Sequence, residues 1–352
     1  MVTNFKASPE EIRQKRQANP KMRERELASI LDISEAELVA AHCGYGVTRI
    51  EPRVADFLSG IKAVGTVMAL TRNGGAVHEK IGVFEKTHAS ESNAIVLGKD
   101  IDLRIFPSHW AHGFAVEKNA DGEIRRSLQF FDKAGDAVHK VHLRPESNLD
   151  AFQELVEKLK SDNQTPHISV AAITPQSEAA PEADQIVPEL RERWASMQDV
   201  HQFVGILRSL KLSRQQAVHL VGEEYATKLD HSAVQGLVDS AVASNLPIMC
   251  FVGSRGCIQI HTGPVHNTNI LGPWLNVMDP TFHLHLRLDM LAEVWAVRKP
   301  VKEGYVTSVE AYDANGHLVI QFFGERHEGQ QELQEWRALV AALPRTQHAT
   351  AA

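Results

Sequence analysis

His201 is the residue whose surroundings point most directly to chemistry. It lies in Asp199-Val-His-Gln-Phe203, and a second polar run, Leu212-Ser-Arg-Gln-Gln216, follows shortly after. Asp199 with Gln202, and Ser213 with Gln216, have the capping-box spacing of a small acceptor followed three residues later by Gln, which predicts two short helices. On that reading His201 falls in the first turn of one helix and Arg214 starts the next. Leu190, Trp194, Met197 and Val204 recur at helical spacing, and His201 falls on their stripe. An imidazole on an apolar face, with a guanidinium one helix away, could hold a flat apolar ligand that carries iron and carboxylates. The pattern fits an ordinary core or surface histidine equally well, and the residues alone leave both readings open.

Other groups could serve such a ligand. Val297-Arg-Lys-Pro300 offers Lys299 as a second cation. In Val319-Ile-Gln-Phe-Phe-Gly-Glu-Arg326, strand alternation puts Gln321 and Phe323 on one face, a polar contact beside an aromatic surface. Asp102-Leu-Arg-Ile-Phe106 likewise pairs Arg104 with Phe106 in the first half. A protonated guanidinium is a poor iron ligand, but it can hold water or peroxide near a metal by hydrogen bonds. His283-Leu-His285 would present two rings on one strand face, yet no suitably spaced Glu and His follow to complete a metal site. His78, His109 and His112 are candidates for a second, weaker site in the first half.

Composition narrows the field. The chain has 352 residues, enough for two domains of ordinary size. Its formal net charge of −7 argues against a bulk attraction to nucleic acid or an anionic membrane, so an anionic ligand needs a local basic patch. Cys43, Cys250 and Cys257 have no CxxC spacing, which disfavours a disulfide framework and a cysteine zinc site and suits a reducing compartment. The first residues lack an apolar signal core, and no apolar run reaches spanning length, so a cytoplasmic protein without membrane insertion is expected. There is no phosphate-binding loop, nucleotide fingerprint or nucleophile elbow.

The elements that must position these residues recur. Residues 8–43 read as helices, with starts at Ser8-Pro-Glu-Glu11 and Ser34-Glu-Ala-Glu37. Short β-prone runs follow from about Gly65, and a helix returns over 147–160. Residues 163–188, with Pro166, Pro175, Pro181 and Pro188, read as a linker. After it, helices, strands and a closing helix follow again. A shift of 181 positions pairs Gly75 with Gly256, Phe114-Ala-Val116 with Trp295-Ala-Val297, and Phe131-Asp-Lys-Ala-Gly135 with Tyr312-Asp-Ala-Asn-Gly316. The expectation is an α+β tandem duplication, each half a large antiparallel β-sheet with flanking helices. Its parts are an N-terminal repeat over 1–162, the linker, and a C-terminal repeat over 189–352.

Asp199-Val-His-Gln-Phe203 with Leu212-Ser-Arg-Gln-Gln216 also resembles the proximal haem-binding segment of the hemin-degrading factor family, bacterial haem-handling proteins of the HemS/HmuS type. The resemblance extends over essentially the whole chain and agrees with the tandem register. It implies that His201 is the axial ligand of haem iron, the metal-binding residue of the chain. It also implies Arg104 and Phe106 on the opposite haem face, and Arg214, Lys299, Gln321, Phe323 and Arg326 as propionate or ring contacts. Haem would be ligand or substrate, supplied by a haem ABC transporter. Two functions are open: haem-oxygenase-like degradation with an electron donor, catalysed with Arg104 and His201, or a chaperone delivering haem to a separate haem oxygenase.

Overall fold

A computed structural model describes residues 7–120, 122–172, 183–327 and 329–346. The described chain forms two compact units, one within 1–72, 79–174 and 254–259, the other within 73–78, 175–253 and 260–352. It contains two large antiparallel sheets of nine strands each.

The first half opens with α1 (Pro9–Ala18), α2 (Glu24–Ile30) and α3 (Glu35–Ala40), then β1 (Val47–Ile50) and α4 (Val54–Val64). The strands β2 (Val67–Arg72), β3 (Ala76–Gly82), β4 (Lys86–Ala89), β5 (Ala94–Leu97) and β6 (Asp102–Ile105) follow. Then come β7 (His112–Ala120), β8 (Glu123–Phe131), β9 (Ala137–Leu143) and α5 (Leu149–Leu159). In the first unit β1-β7-β8-β9-β2 are neighbours in that order, and β4-β5-β6 form a meander.

The second half repeats the programme with α6 (Ala183–Ala195), α7 (Gln202–Leu210), α8 (Arg214–Leu220), β10 (Ala226–Leu229) and α9 (Ala233–Ser244). Its strands are β11 (Ile248–Gly253), β12 (Cys257–Gly263), β13 (Thr268–Leu271), β14 (Trp274–Met278) and β15 (Phe282–Arg287). Then β16 (Glu293–Val301), β17 (Gly304–Tyr312) and β18 (Leu318–Gly324) lead to α10 (Gln334–Ala342). Here the order is β10-β16-β17-β18-β11, with a β13-β14-β15 meander.

The matched turns explain why the two copies keep one register. Gly135 and Gly316 both have positive φ, and each donates its N–H to Asp132 or Asp313 at the head of its turn. Each aspartate carboxylate caps the same two N–H groups, two and four residues on. Ahead of each turn the ladder shifts at the same place, between Phe130 and Phe131 and between Ala311 and Tyr312. A residue with a Cβ would be strained at either glycine.

Helix starts follow their caps where the sequence supplies an acceptor. Ser8, Ser34 and Ser213 each head a capping box in which both reciprocal hydrogen bonds form. Each half buries an apolar helix pair on one sheet face: Phe57, Leu58 and Ile61 of α4 with Phe152 and Leu155 of α5, and Val234, Leu237 and Val238 of α9 with Trp336 and Val340 of α10. Side chains of this size each contribute about 1.5–3 kcal/mol on burial. The small helices cover other cores, among them Leu190, Trp194, Phe203 and Val218 in the second half.

Part of the predicted linker, residues 173–182, lies outside the described residues. From Ala183 the chain is already helix α6, with Pro188 inside it.

Candidate functional site

In the second unit, α7, α8 and β16 to β18 assemble the predicted residues around one carboxylate that sequence reading did not single out. Glu310 on β17 is fully buried. Lys299 Nζ on β16 donates to its Oε1 at 2.8 Å, and Gln321 Nε2 on β18 donates to the same oxygen at 2.9 Å. Arg214 Nη1, at the start of α8, approaches both oxygens at 3.2 and 3.4 Å. Ser308 Oγ and Tyr312 Oη complete the shell at 2.9 and 2.5 Å. Burial works to raise the Glu310 pKa, but the charges of Lys299 and Arg214 outweigh it and hold the carboxyl well below its usual range. Burial pushes the Lys299 ammonium the other way, below its ordinary value, against the pull of Glu310.

The arrangement gives Arg214, Lys299 and Gln321 a common anchor inside the protein. Lys299 and Gln321 are buried, whereas the Arg214 side chain keeps 27% exposure. Phe203 on α7 faces both cations, its ring centroid 4.9 Å from the Arg214 guanidinium carbon and 4.8 Å from Lys299 Nζ. Phe323 packs edge-on to Phe251 with centroids 4.9 Å apart, and it stays partly exposed.

His201 stands two residues before Phe203. Its side chain is 87% exposed, and its Nδ1 lies 2.7 Å from Asp199 Oδ1. The same aspartate oxygen accepts the His201 backbone N–H at 2.7 Å. That backbone hydrogen bond is the leading cause of a lowered Asp199 pKa, and the charge of Arg326 adds a small part. An Nδ1–H held by a carboxylate fixes the tautomer that leaves Nε2 as the lone-pair nitrogen, the usual support of a metal-ligating histidine.

The local reading of this turn needs correction. Helix α7 begins at Gln202, and His201 occupies the position just ahead of it, with no side-chain cap. The Asp199 carboxylate accepts from the His201 N–H, while the Gln202 N–H goes to the Asp199 carbonyl at 3.1 Å and the Gln202 side-chain oxygen accepts from the N–H groups of Gln198 and Asp199 at 2.8 and 3.2 Å. The turn breaks the helical period, so the buried stripe of Leu190, Trp194 and Met197 passes to Phe203, and His201 and Val204 are exposed. The histidine is therefore a surface group and not a core one.

In the first unit Arg104 lies on β6 opposite Ile95, its guanidinium held by Asp102. Phe106 lies one residue past β6, its N–H donating to Gly256 O at 3.0 Å. His109 is exposed in a 3-10 turn. His112, half-buried on β7, has its pKa lowered by burial. His78 is fully buried, its ring 4.9 Å from that of Phe282, so it offers no surface for a second ligand. His283 and His285 share a face of β15, with His285 Nδ1 2.7 Å from Asn276 Oδ1. Among the described residues no group of three or more His, Cys, Asp or Glu could hold a metal ion, and no helix is long and apolar enough to cross a membrane.

Glu310, Ser308 and Tyr312 were missed because an acid in Ser308-Val-Glu-Ala-Tyr312 reads as the polar face of a strand. The hold of Asp199 on His201, by contrast, had a local signal, the two-residue spacing at which a turn carboxylate can reach an imidazole.

The chain is a duplicated α+β scaffold whose second unit holds a carboxylate-bound, exposed histidine and a buried carboxylate with its cations. A family profile described as haemin-degrading HemS.ChuX domain matches twice, over residues 32–159 and 211–343. The chain belongs to this family. It is 36% identical over 320 residues to the hemin transport protein HmuS of Yersinia pestis, covering 91% of this chain and 92% of that one. It is likewise 36% identical to the hemin transport protein HemS of Yersinia enterocolitica, covering 95% and 96%. Among solved structures, holo-PhuS, a heme-binding protein from Pseudomonas aeruginosa, is 39% identical with a TM-score of 0.93, covering 97% of this chain and all of that one. ChuS, an E. coli heme oxygenase, is 35% identical with a TM-score of 0.85, covering 93% and 98%.

Proposed function

We propose that this chain binds haem through His201 Nε2 and carries it within a bacterial haem-uptake system. The observation that carries this reading is the Asp199–His201 pair: an exposed imidazole whose second nitrogen is held by a carboxylate. Haem asks for an axial ligand, an apolar surface for the ring and cations for two propionates. The residues present fit those demands. His201 supplies the first, the partly exposed Phe323 supplies aromatic surface, and Arg214 and Arg326 are the accessible cations. Lys299 and Gln321 act on this reading through Glu310, as groups that fix Arg214 in place. Arg104 and Phe106 are proposed as further contacts to the ring and to a small molecule bound at its iron.

The protein would work in the cytoplasm, receiving haem from an ABC transporter and passing it to an acceptor such as a haem oxygenase. A second reading, degradation by the chain itself, is favoured by the similarity to the E. coli heme oxygenase. It requires dioxygen or peroxide and an electron donor, and it releases iron.

Haem titration of the wild type and of His201→Ala, followed by absorption, tests the binding reading. One saturating equivalent with a sharp Soret band in the wild type, shifted or weakened in the variant, is expected. Equal spectra in the two proteins would move the ligand elsewhere. Reduction of the loaded protein with catalase present then separates the two readings. A Soret band that survives supports transfer, and one that is lost despite catalase supports degradation.

A further inference from the structure

On the opposite face of the same strands from Glu310 lies a cavity of about 340 Å³. It is open to solvent on one side, bounded by α10 and lined by β10, β16 and β17. Strand alternation separates it from the site above: Ala296 and Arg298 line it while Val297 and Lys299 point the other way, and Thr307 lines it while Ser308 and Glu310 do not.

Its walls have two characters. Leu229, Ala296, Val340 and Ala341 are apolar, whereas Arg298, Arg337 and Arg345 set three guanidiniums against one carboxylate, Glu332. That carboxylate is already taken up, accepting from Thr307 N–H and Oγ1 at 2.7 Å each and from Arg337 Nε at 2.8 Å. Arg298 donates to the Glu224 carbonyl and lies 5.9 Å from the centroid of the Tyr305 ring, itself on the cavity wall. The excess of positive charge is local, in a chain whose formal net charge is −7.

The first half does not repeat these residues. At the shift of 181, Arg298 corresponds to Glu117 and Thr307 to Arg126, and those two neutralise each other at 3.0 Å. Tyr305 corresponds to Ile124. The cationic lining therefore belongs to the second copy and is not a requirement of the fold.

We propose that this cavity binds a small organic anion, its carboxylate or phosphate held by Arg298 and Arg345 and its apolar body resting on Leu229, Ala296 and Val340. Its volume falls in the range of small-molecule sites, which join apolar walls to a few placed polar groups. Guanidinium pairs suit either anion because both accept two parallel hydrogen bonds.

Calorimetric titration of the full chain with hexanoate and with inorganic phosphate, at matched ionic strength, tests the site. Saturable binding of at least one probe is expected. Hexanoate alone would assign a carboxylate ligand, and phosphate alone a phosphate ligand. In Arg298→Gln/Arg345→Gln the affinity should fall about tenfold or more, as charge-assisted hydrogen bonds are lost, while the haem titration stays as in wild type. Should the double variant not fold, Arg345→Gln alone carries the test, since that side chain is exposed. If neither probe saturates, or if the variants bind as wild type does, the proposal is wrong.

Discussion

In the first half, Glu35 at the start of α3 is buried against Lys140 of β9 at 2.5 Å and Arg72 of β2, with Gln129 of β8 paired across from Lys140. In the second half the residue at the start of α8 is Arg214, the acid is Glu310 on β17, and the residue paired across from it on β18 is Gln321. The same three positions hold a glutamate, a glutamine and a lysine in one copy, and an arginine, a glutamate and a glutamine in the other. Both carboxyls are held below their ordinary range although burial opposes it, Glu35 by Lys140 and Arg72, Glu310 by Lys299 and Arg214. What differs is the direction in which charge faces. The first copy adds a second acid, Glu24, within 3.7 Å of Lys118 and Lys140. The capping serines Ser34 and Ser213 lie 179 residues apart, and at that helix register Glu24 corresponds to Phe203, and Met22 and Pro20 to His201 and Asp199. One fold thus satisfies its cations internally in one half, and in the other buries an aromatic ring against them and leaves a partly exposed arginine and a carboxylate-held imidazole.

The largest effect expected from breaking this comparison is at the hub. Glu310→Ala leaves Lys299 buried without its counter-charge, and urea denaturation should show a loss of about 3–5 kcal/mol. Arg214→Glu alone would set two acids together and destabilise as well. Arg214→Glu/Glu310→Gln/Gln321→Lys copies the first-half arrangement and should recover most of that loss. Recovery no better than in the single variant would mean that the two clusters are not equivalent.

A second contrast is acid sensitivity. His139 on β9 is fully buried and its pKa is pushed down to about 3 by burial, while the corresponding residue on β18 is Ile320. Between the ordinary value of 6.5 and about 3, the unfolded chain binds a proton that the folded chain does not. Stability should therefore fall as pH drops through that window, by about 1.4 kcal/mol for each unit of pKa depression below the unfolded value. Hydrogen exchange should show β8 and β9 opening before β17 and β18 as the pH is lowered. His139→Leu should flatten the dependence.

The smaller effect lies at the surface turn. Asp199→Asn keeps the shape but weakens the hold on His201 Nδ1–H, and haem affinity should fall about 10- to 100-fold, the usual cost of losing such a partner. Unchanged affinity would mean that Asp199 only shapes the turn.

The duplication was legible in sequence because turns resist substitution: Gly135 and Gly316 need positive φ, and Asp132 and Asp313 need their carboxylates. Capped helices were legible for the same kind of reason. Helix α4 was not, although Val54, Phe57, Leu58, Ile61 and Val64 carry helical spacing, because Arg53 ahead of it offers no acceptor to mark the start. The extent of the Asp199 turn was hidden too, since an Asp-to-Gln spacing suits a capping box and a turn alike. Glu310 could not be read at all. Its burial depends on Arg214, 96 residues away in sequence, and on Lys299 across a strand pair, and neither partner leaves a local mark.

The central claim is that His201 Nε2 ligates haem iron. Replacing the side chain and returning its ring tests that most directly: absorption spectra of haem-loaded His201→Gly, with and without added imidazole. The account predicts a weakened or shifted Soret band that imidazole restores to the wild-type position. A wild-type spectrum in the variant without imidazole would contradict it.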